Sequence, residues 1–167
     1  MYLLDTAIVA ALRKAKWEAE SAPLTQWARH ILPGQLFISA LTLLELENGI
    51  AHTQKNDPEG AKALRDWMDT QVARTFDGRI LPVDAAVVRR RAGLPYADSR
   101  DGLIAATALE HGLTLVTRRP SAYRAGRVRV LDTFEAAISH APEQAEAEWA
   151  ETARSGQGWL RNLFLRL

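Results

Sequence analysis

Three acids in this chain, Asp5, Glu45 and Asp101, each follow a short apolar run or open a segment of helical period. An open α/β sheet gathers its site at such places, at strand ends and the first turns of the following helices. Each acid also has a structural alternative. Asp5 and Asp101 could serve as helix caps, and Thr42-Leu43-Leu44-Glu45 matches the capping box in which Glu45 reaches back to the Thr42 amide. Taken together, the three carry a stronger implication. If the fold brings them within about 4 Å, each like-charged pair costs roughly 4 kcal/mol at an effective dielectric near 20. A bound cation or a raised pKa must then relieve the repulsion. An all-oxygen donor set suits hard divalent ions, Mg²⁺ or Mn²⁺, and metal-assisted hydrolysis of a phosphodiester is the natural chemistry. Asp98, one helical turn before Asp101, either joins the acidic cluster or caps the helix.

The elements that must position these acids alternate between strand and helix. Tyr2-Leu3-Leu4 is a short apolar run, and Ile8, Leu12 and Ala15 follow at helical spacing, so the chain turns from strand to helix near Asp5. A second helical stretch ends before Pro33-Gly34, and Leu36-Phe37-Ile38 reads as the next strand. Ser39 and Thr42 are candidate caps of a helix carrying Leu43, Leu46 and Ile50. Leu64, Trp67, Met68 and Val72 mark one face of another helix, closed by Phe76-Asp77-Gly78 before a strand at 79–83 that ends near Pro82. A helix over 85–92, a Gly93-Leu94-Pro95 break and a helix from 98–101 to His111 follow, with Gly112 as its stop. Strands are expected at 113–116 and 128–131. This alternation predicts a mainly parallel central sheet with helices on both faces, a three-layer α/β/α architecture.

Composition excludes several classes. With 167 residues, 47% hydrophobic and 25% charged, the chain is long enough for a substantial core without metal or disulfide staples. Lys+Arg number 21 against 20 Asp+Glu, so any nucleic-acid surface must be local. The absence of cysteine removes disulfides and thiolate chemistry, and is compatible with a reducing compartment; the cytoplasm is the expected location. The opening 11 residues lack a basic start and a small-residue cleavage site, and no window of 18 uncharged apolar residues offers a membrane span. No G-x-S-x-G, Walker A or G-x-G-x-x-G pattern is present, and His30, His52, His111 and His140 show no metal-motif spacing. After Phe134 the composition shifts to Ala and Glu, and Trp159, Leu160, Leu163, Phe164 and Leu167 share one face of a short terminal helix. Two parts are therefore expected: a domain over 1–134 and a helical extension over 135–167 that docks on this domain, a second copy or a partner.

Three separated blocks resemble the PIN-domain toxins of the VapC type. They are Tyr2-Leu3-Leu4-Asp5-Thr6, the run from Ile38 to Gly49 around Glu45, and Asp101-Gly102-Leu103-Ile104-Ala105-Ala106-Thr107-Ala108 with Leu113-Thr114-Leu115-Val116-Thr117-Arg118. Gly78-Arg79-Ile80-Leu81-Pro82-Val83 is similar to the FitB-like branch. The resemblance covers about Met1 to Phe134. It implies the toxin of a type II toxin–antitoxin pair, an endoribonuclease using Mg²⁺ or Mn²⁺, usually a homodimer, blocked by a cognate antitoxin and reaching operator DNA only through the antitoxin. Carried over by position, Asp5 and Asp101 would bind the metal, and Glu45 would orient a ligand water or bind directly. Thr117, Arg118 and Arg119 would lie near the RNA.

The chain departs from the family pattern at definite places. The acid often found after the Thr-Arg pair is replaced by Arg119 and Ala122; Ala7 follows Asp5-Thr6 where Asn is common; and Asp132-Thr133 stands where Asn-Pro usually ends the last strand. A missing acid weakens a second metal position, leaving two outcomes: attenuated cleavage, or a module that binds RNA or an antitoxin without cutting. Between His111 and Leu131 there are five arginines and no acid, a phosphate-binding rim or a solvated basic face, which Arg89-Arg90-Arg91 would extend. Tyr123 is the one aromatic residue among them, so base stacking has little support; Trp17, Trp27 and Trp67 read as core or interface residues.

Overall fold

The computed structural model of the chain describes residues 1–14 and 22–132. The expected helical extension over 135–167 and the reading of Trp17 lie outside the described residues. Five strands, β1 (Tyr2–Leu4), β2 (Leu36–Ser39), β3 (Ile80–Leu81), β4 (Thr114–Val116) and β5 (Val130–Leu131), form one parallel sheet in the order β3-β2-β1-β4-β5. The central position of β1 suits its composition, since a strand buried on both faces must be apolar throughout. Leu3 and Leu4 are fully buried, and the register pairs Leu3 with Phe37 on one side and Leu115 on the other.

Alternation along these strands sorts the core into two layers. Leu4, Leu36, Ile38 and Val116 pack with Ile8, Leu12, Leu24, Trp67, Val72 and Phe76. These come from α1 (Thr6–Lys14), α2 (Ala22–Arg29) and the helical run α4 (Pro58–Trp67), a π turn (Met68–Val72) and α5 (Ala73–Thr75). Leu3 and Leu115 face the other way, against Ile104, Ala105, Ala108 and Tyr123. These belong to α7 (Ser99–Glu110) and α8 (Pro120–Tyr123), with α6 (Ala85–Ala92) packed on α7. The result is the three-layer α/β/α fold. Burying one Leu or Phe contributes roughly 1.5–3 kcal/mol, so the two layers together offset the ordering of the chain.

Several boundaries differ from the sequence pattern. β3 is two residues long and stops at Leu81, because Pro82 has no N–H to extend the ladder. β4 begins at Thr114, since the Leu113 amide donates instead to Ala108 O (2.8 Å) in the turn that closes α7. That turn requires Gly112, whose φ is +64°. The helix after β2, α3 (Ala40–Thr53), is capped by Ser39, which accepts from the Leu41 amide; Thr42 is interior to it and caps nothing. Among the described residues no helix is long and apolar enough to cross a membrane.

Candidate active site

Asp5 at the carboxyl end of β1, Glu45 on α3 after β2 and Asp101 in the first turn of α7 line one cavity of about 320 Å³. Asp5 follows β1 directly. Its amide donates to Val116 O (3.1 Å) across the sheet, and its Oδ1 accepts from the Ile8 amide (2.8 Å), so it does cap α1. It also lines the cavity, nearly buried at 6% exposure. The cap and the site are therefore two uses of one carboxylate. Burial raises its pKa above the ordinary 3.8; hydrogen bonds from the Thr117 hydroxyl and the Ile8 amide and the nearby Arg119 charge oppose that rise, and Glu45 adds to it.

Glu45 does not form the capping box. Because Ser39 starts α3, Glu45 stands past the first turn, and its Oε2 accepts from the Thr6 hydroxyl of α1. The residue after Asp5 thereby ties the second acid to the first.

Asp101 occupies the first turn of α7, but Asp98 is the cap, its Oδ1 accepting from the Arg100 and Asp101 amides at 2.7 and 3.0 Å. Asp98 is exposed and does not line the cavity, so the structure assigns it to the helix end and not to the acidic cluster. Freed from capping, Asp101 turns into the cavity. Its Oδ1 accepts from Arg119 Nη2 (2.8 Å) and from the Tyr123 hydroxyl (3.1 Å). Tyr123 is 1% exposed, with Tyr96 edge-on at 6.1 Å and the Tyr96 hydroxyl donating to the Tyr123 carbonyl (3.0 Å). Burial, then the negative charge of Asp101, pushes the Tyr123 phenol far up, so it stays a donor.

The three residues after β4 divide. Thr117 is fully buried beneath Asp5 and accepts the Arg119 amide (3.1 Å), which fits a role in holding the carboxylate and not one in touching a ligand. Arg118 is exposed. Arg119 lies at the cavity mouth, its side chain 62% exposed against 17% for Asp101. Part of the wider arginine run is engaged away from the cavity. Arg90 pairs with Glu110 (2.5 Å), Arg129 donates to Gly112 O, and Arg91 donates to Leu94 O and Tyr96 O. Arg91 also fills the space over Gly102, where a Cβ would stand 2.0 Å from its Nε. Arg100 and Arg119 are the cations that line the cavity.

The donor set suits a hard divalent ion: carboxylate oxygens from three elements, with no imidazole or thiol beside them among the described residues. Burial that makes Asp5 costly to ionise points the same way, toward a compensating cation. The acids are not gathered into a ready-made cage, however. Among the described residues no three acidic or imidazole groups are gathered closely enough to hold one ion; Asp101 is engaged by Arg119 and Glu45 by Thr6.

Two residues of this site were not singled out for it by the sequence. Thr6 and Tyr123 act through hydroxyls that meet their acids across 39 and 22 positions of chain, contacts that leave no local pattern.

Comparison with known proteins agrees with this geometry. The family model described as the PIN domain matches residues 2–128. The VapC ribonuclease Y4jK of Sinorhizobium fredii is 31% identical over 147 residues, covering 82% of this chain and all of that one. The toxin FitB of Neisseria gonorrhoeae is 29% identical over 142 residues, covering 80% of this chain and 99% of its own length. A solved structure of FitAB bound to an IR36 DNA fragment matches with a TM-score of 0.72 at 26% identity, covering 86% of this chain and 99% of that one.

Proposed function

The chain belongs to the PIN-domain family, in the FitB-like branch of the VapC toxins, and from that premise we propose that it is the toxin of a toxin–antitoxin pair, a Mg²⁺- or Mn²⁺-dependent endoribonuclease. The observation that carries the reading is the convergence of Asp5, Glu45 and Asp101, from three separate elements, on one cavity at the carboxyl edge of a parallel sheet. The ribonuclease and toxin named among its relatives support the same activity. In this reading residues 1–134 are the nuclease and 135–167 an appended segment. The protein acts in the cytoplasm as a homodimer on RNA, under a cognate antitoxin, and meets operator DNA through that antitoxin; the likeness to FitAB bound to DNA supports the last two assignments.

Asp5 and Asp101 would hold the ion, with Glu45 as the third acid. When bound, such an ion polarises a scissile phosphate and lowers the pKa of an attacking water. The protein's own part is positioning. The Ile8 amide and Thr117 hydroxyl fix Asp5, Thr6 fixes Glu45, and the buried Tyr123 phenol holds one oxygen of Asp101. Arg100 and Arg119 place positive charge at the mouth, where an RNA backbone would enter.

The Arg119–Asp101 pair favours a second reading, in which the module binds RNA or antitoxin without cutting. Cleavage of labelled total RNA by the purified protein in Mn²⁺ or Mg²⁺, against EDTA and against Asp5→Asn and Asp101→Asn, separates the two. Metal-dependent cleavage lost in both variants is the expected result. A folded, antitoxin-free sample that cuts nothing yet binds Mn²⁺ would instead support the silent module.

A further inference from the structure

We propose that Arg119 takes the place of a second metal ion, so that the acidic site is built to receive a single divalent cation. The inference rests on the metal-dependent reading above and goes beyond it by fixing how many ions the site takes and which residue sets the number. Three carboxylates line the cavity, a formal charge of −3 if all are ionised. Arg119 is held against one of them at 2.8 Å and is also close enough to Asp5 to bias its ionisation. Its guanidinium cannot be deprotonated in a protein, so it is a fixed +1. The remaining −2 is what one divalent ion neutralises; a second ion would leave the site at +2. Arg100 also lines the cavity and adds positive charge at its mouth, which tells further against a second ion.

The geometry of Asp101 allows the arginine and one ion to coexist. Both donors, Arg119 Nη2 and the Tyr123 hydroxyl, fall on Oδ1, and Oδ2 takes neither. The pair therefore orients the carboxylate and leaves its other oxygen for the cation, as outer hydrogen bonds do around metal ligands generally. Arg119 is thus a positioning residue and a built-in counter-charge. The chain around it carries no acid that would reverse the count: from Thr117 to Tyr123 it reads Thr-Arg-Arg-Pro-Ser-Ala-Tyr.

The test counts ions directly. Titration of the full chain with MnCl₂, followed by calorimetry and by the electron paramagnetic resonance signal of free Mn²⁺, should give one ion per protomer. Arg119→Lys, which keeps the charge, should also bind one. Arg119→Ala should bind one about tenfold more tightly, the scale of removing one partly exposed like charge from beside the ion. Arg119→Asp, at a formal −4 + 0 with four acids, should bind two. Because the Arg119 side chain is mostly exposed, all three variants should keep the melting temperature of the parent within a few degrees. Two ions in the unaltered protein, or one in Arg119→Asp, would overturn the substitution of arginine for metal while leaving the nuclease reading intact. Failure of every form to bind Mn²⁺ would overturn both.

Discussion

Asp5 works against the stability of the fold that holds it. Burial raises its pKa, so between 3.8 and the higher folded value the native state keeps a proton that the unfolded chain has released. Stability conferred by the protonated form is complete below 3.8 and is lost as pH rises through the folded pKa. Asp5→Asn keeps an acceptor for the Ile8 amide and carries no charge. In EDTA at pH 7 its melting temperature should exceed the parent's by about 2–4 °C, the response of a domain this size to ~1 kcal/mol, and the gap should close as the pH is lowered toward 4. An unaltered gap across that range in thermal melts would show that desolvation of the charge is not the cause. Tyr123→Phe isolates a single hydroxyl while leaving the ring in its packing. With Asp101 less firmly held, kcat should fall about tenfold or more, the range for outer-sphere partners of a metal ligand, with KM little changed; steady-state RNA cleavage measures the split. That Asp5, Glu45 and Asp101 would meet at one place was legible from residue type and placement after apolar runs. The capping box was not a safe reading of Glu45, because Ser39 is an equally good cap three residues before Thr42 and fixes the start of the helix first. Tyr123 was legible only as an aromatic among arginines, since nothing local announces a contact with Asp101.

Elements were readable where periodicity and punctuation coincided. α6, bounded by Asp84 and Gly93, and α7, bounded by Asp98 and Gly112, fall close to their expected limits because each has a side-chain cap and a glycine just past its end. The edge strands were overestimated. Apolar runs at 79–83 and 128–131 signal burial, whereas strand length depends on which neighbour offers a ladder, and each of these has a neighbour on one side only. The π turn at Met68–Val72 gave no sequence signal, since Trp67, Met68 and Val72 keep one buried face through it. The closure of α7 is the element on which β4 depends. Gly112→Ala meets no atom within 4 Å, so its cost is the left-handed backbone alone, about 1 kcal/mol. Urea unfolding should show that loss; a loss of several kcal/mol would mean that the turn carries more than its φ angle.

At the scale of the molecule the two core layers share one set of strands, so damage to a central strand should spread to the site. Leu115 is fully buried on β4 between β1 and β5. Leu115→Ala should cost about 2–5 kcal/mol and weaken Mn²⁺ binding, because Thr117 and Arg119 hang from the same strand end; calorimetry beside chemical denaturation checks both. The three-layer class was legible from alternation alone, but the order of strands was not, because short, uniformly apolar strands do not encode their neighbours. That order has a temporal consequence. β1 is made first, yet one of its two partners, β4, lies near the other end of the described chain, as do Thr117, Arg119 and Tyr123. During synthesis Asp5 has the Ile8 amide at once but must wait for Thr117 and Arg119, since distant pairings form only once the late segment has emerged. Until the segment carrying β4 has emerged and paired with β1, the site is therefore unassembled, so the strand order builds a delay between the making of Asp5 and the completion of its surroundings.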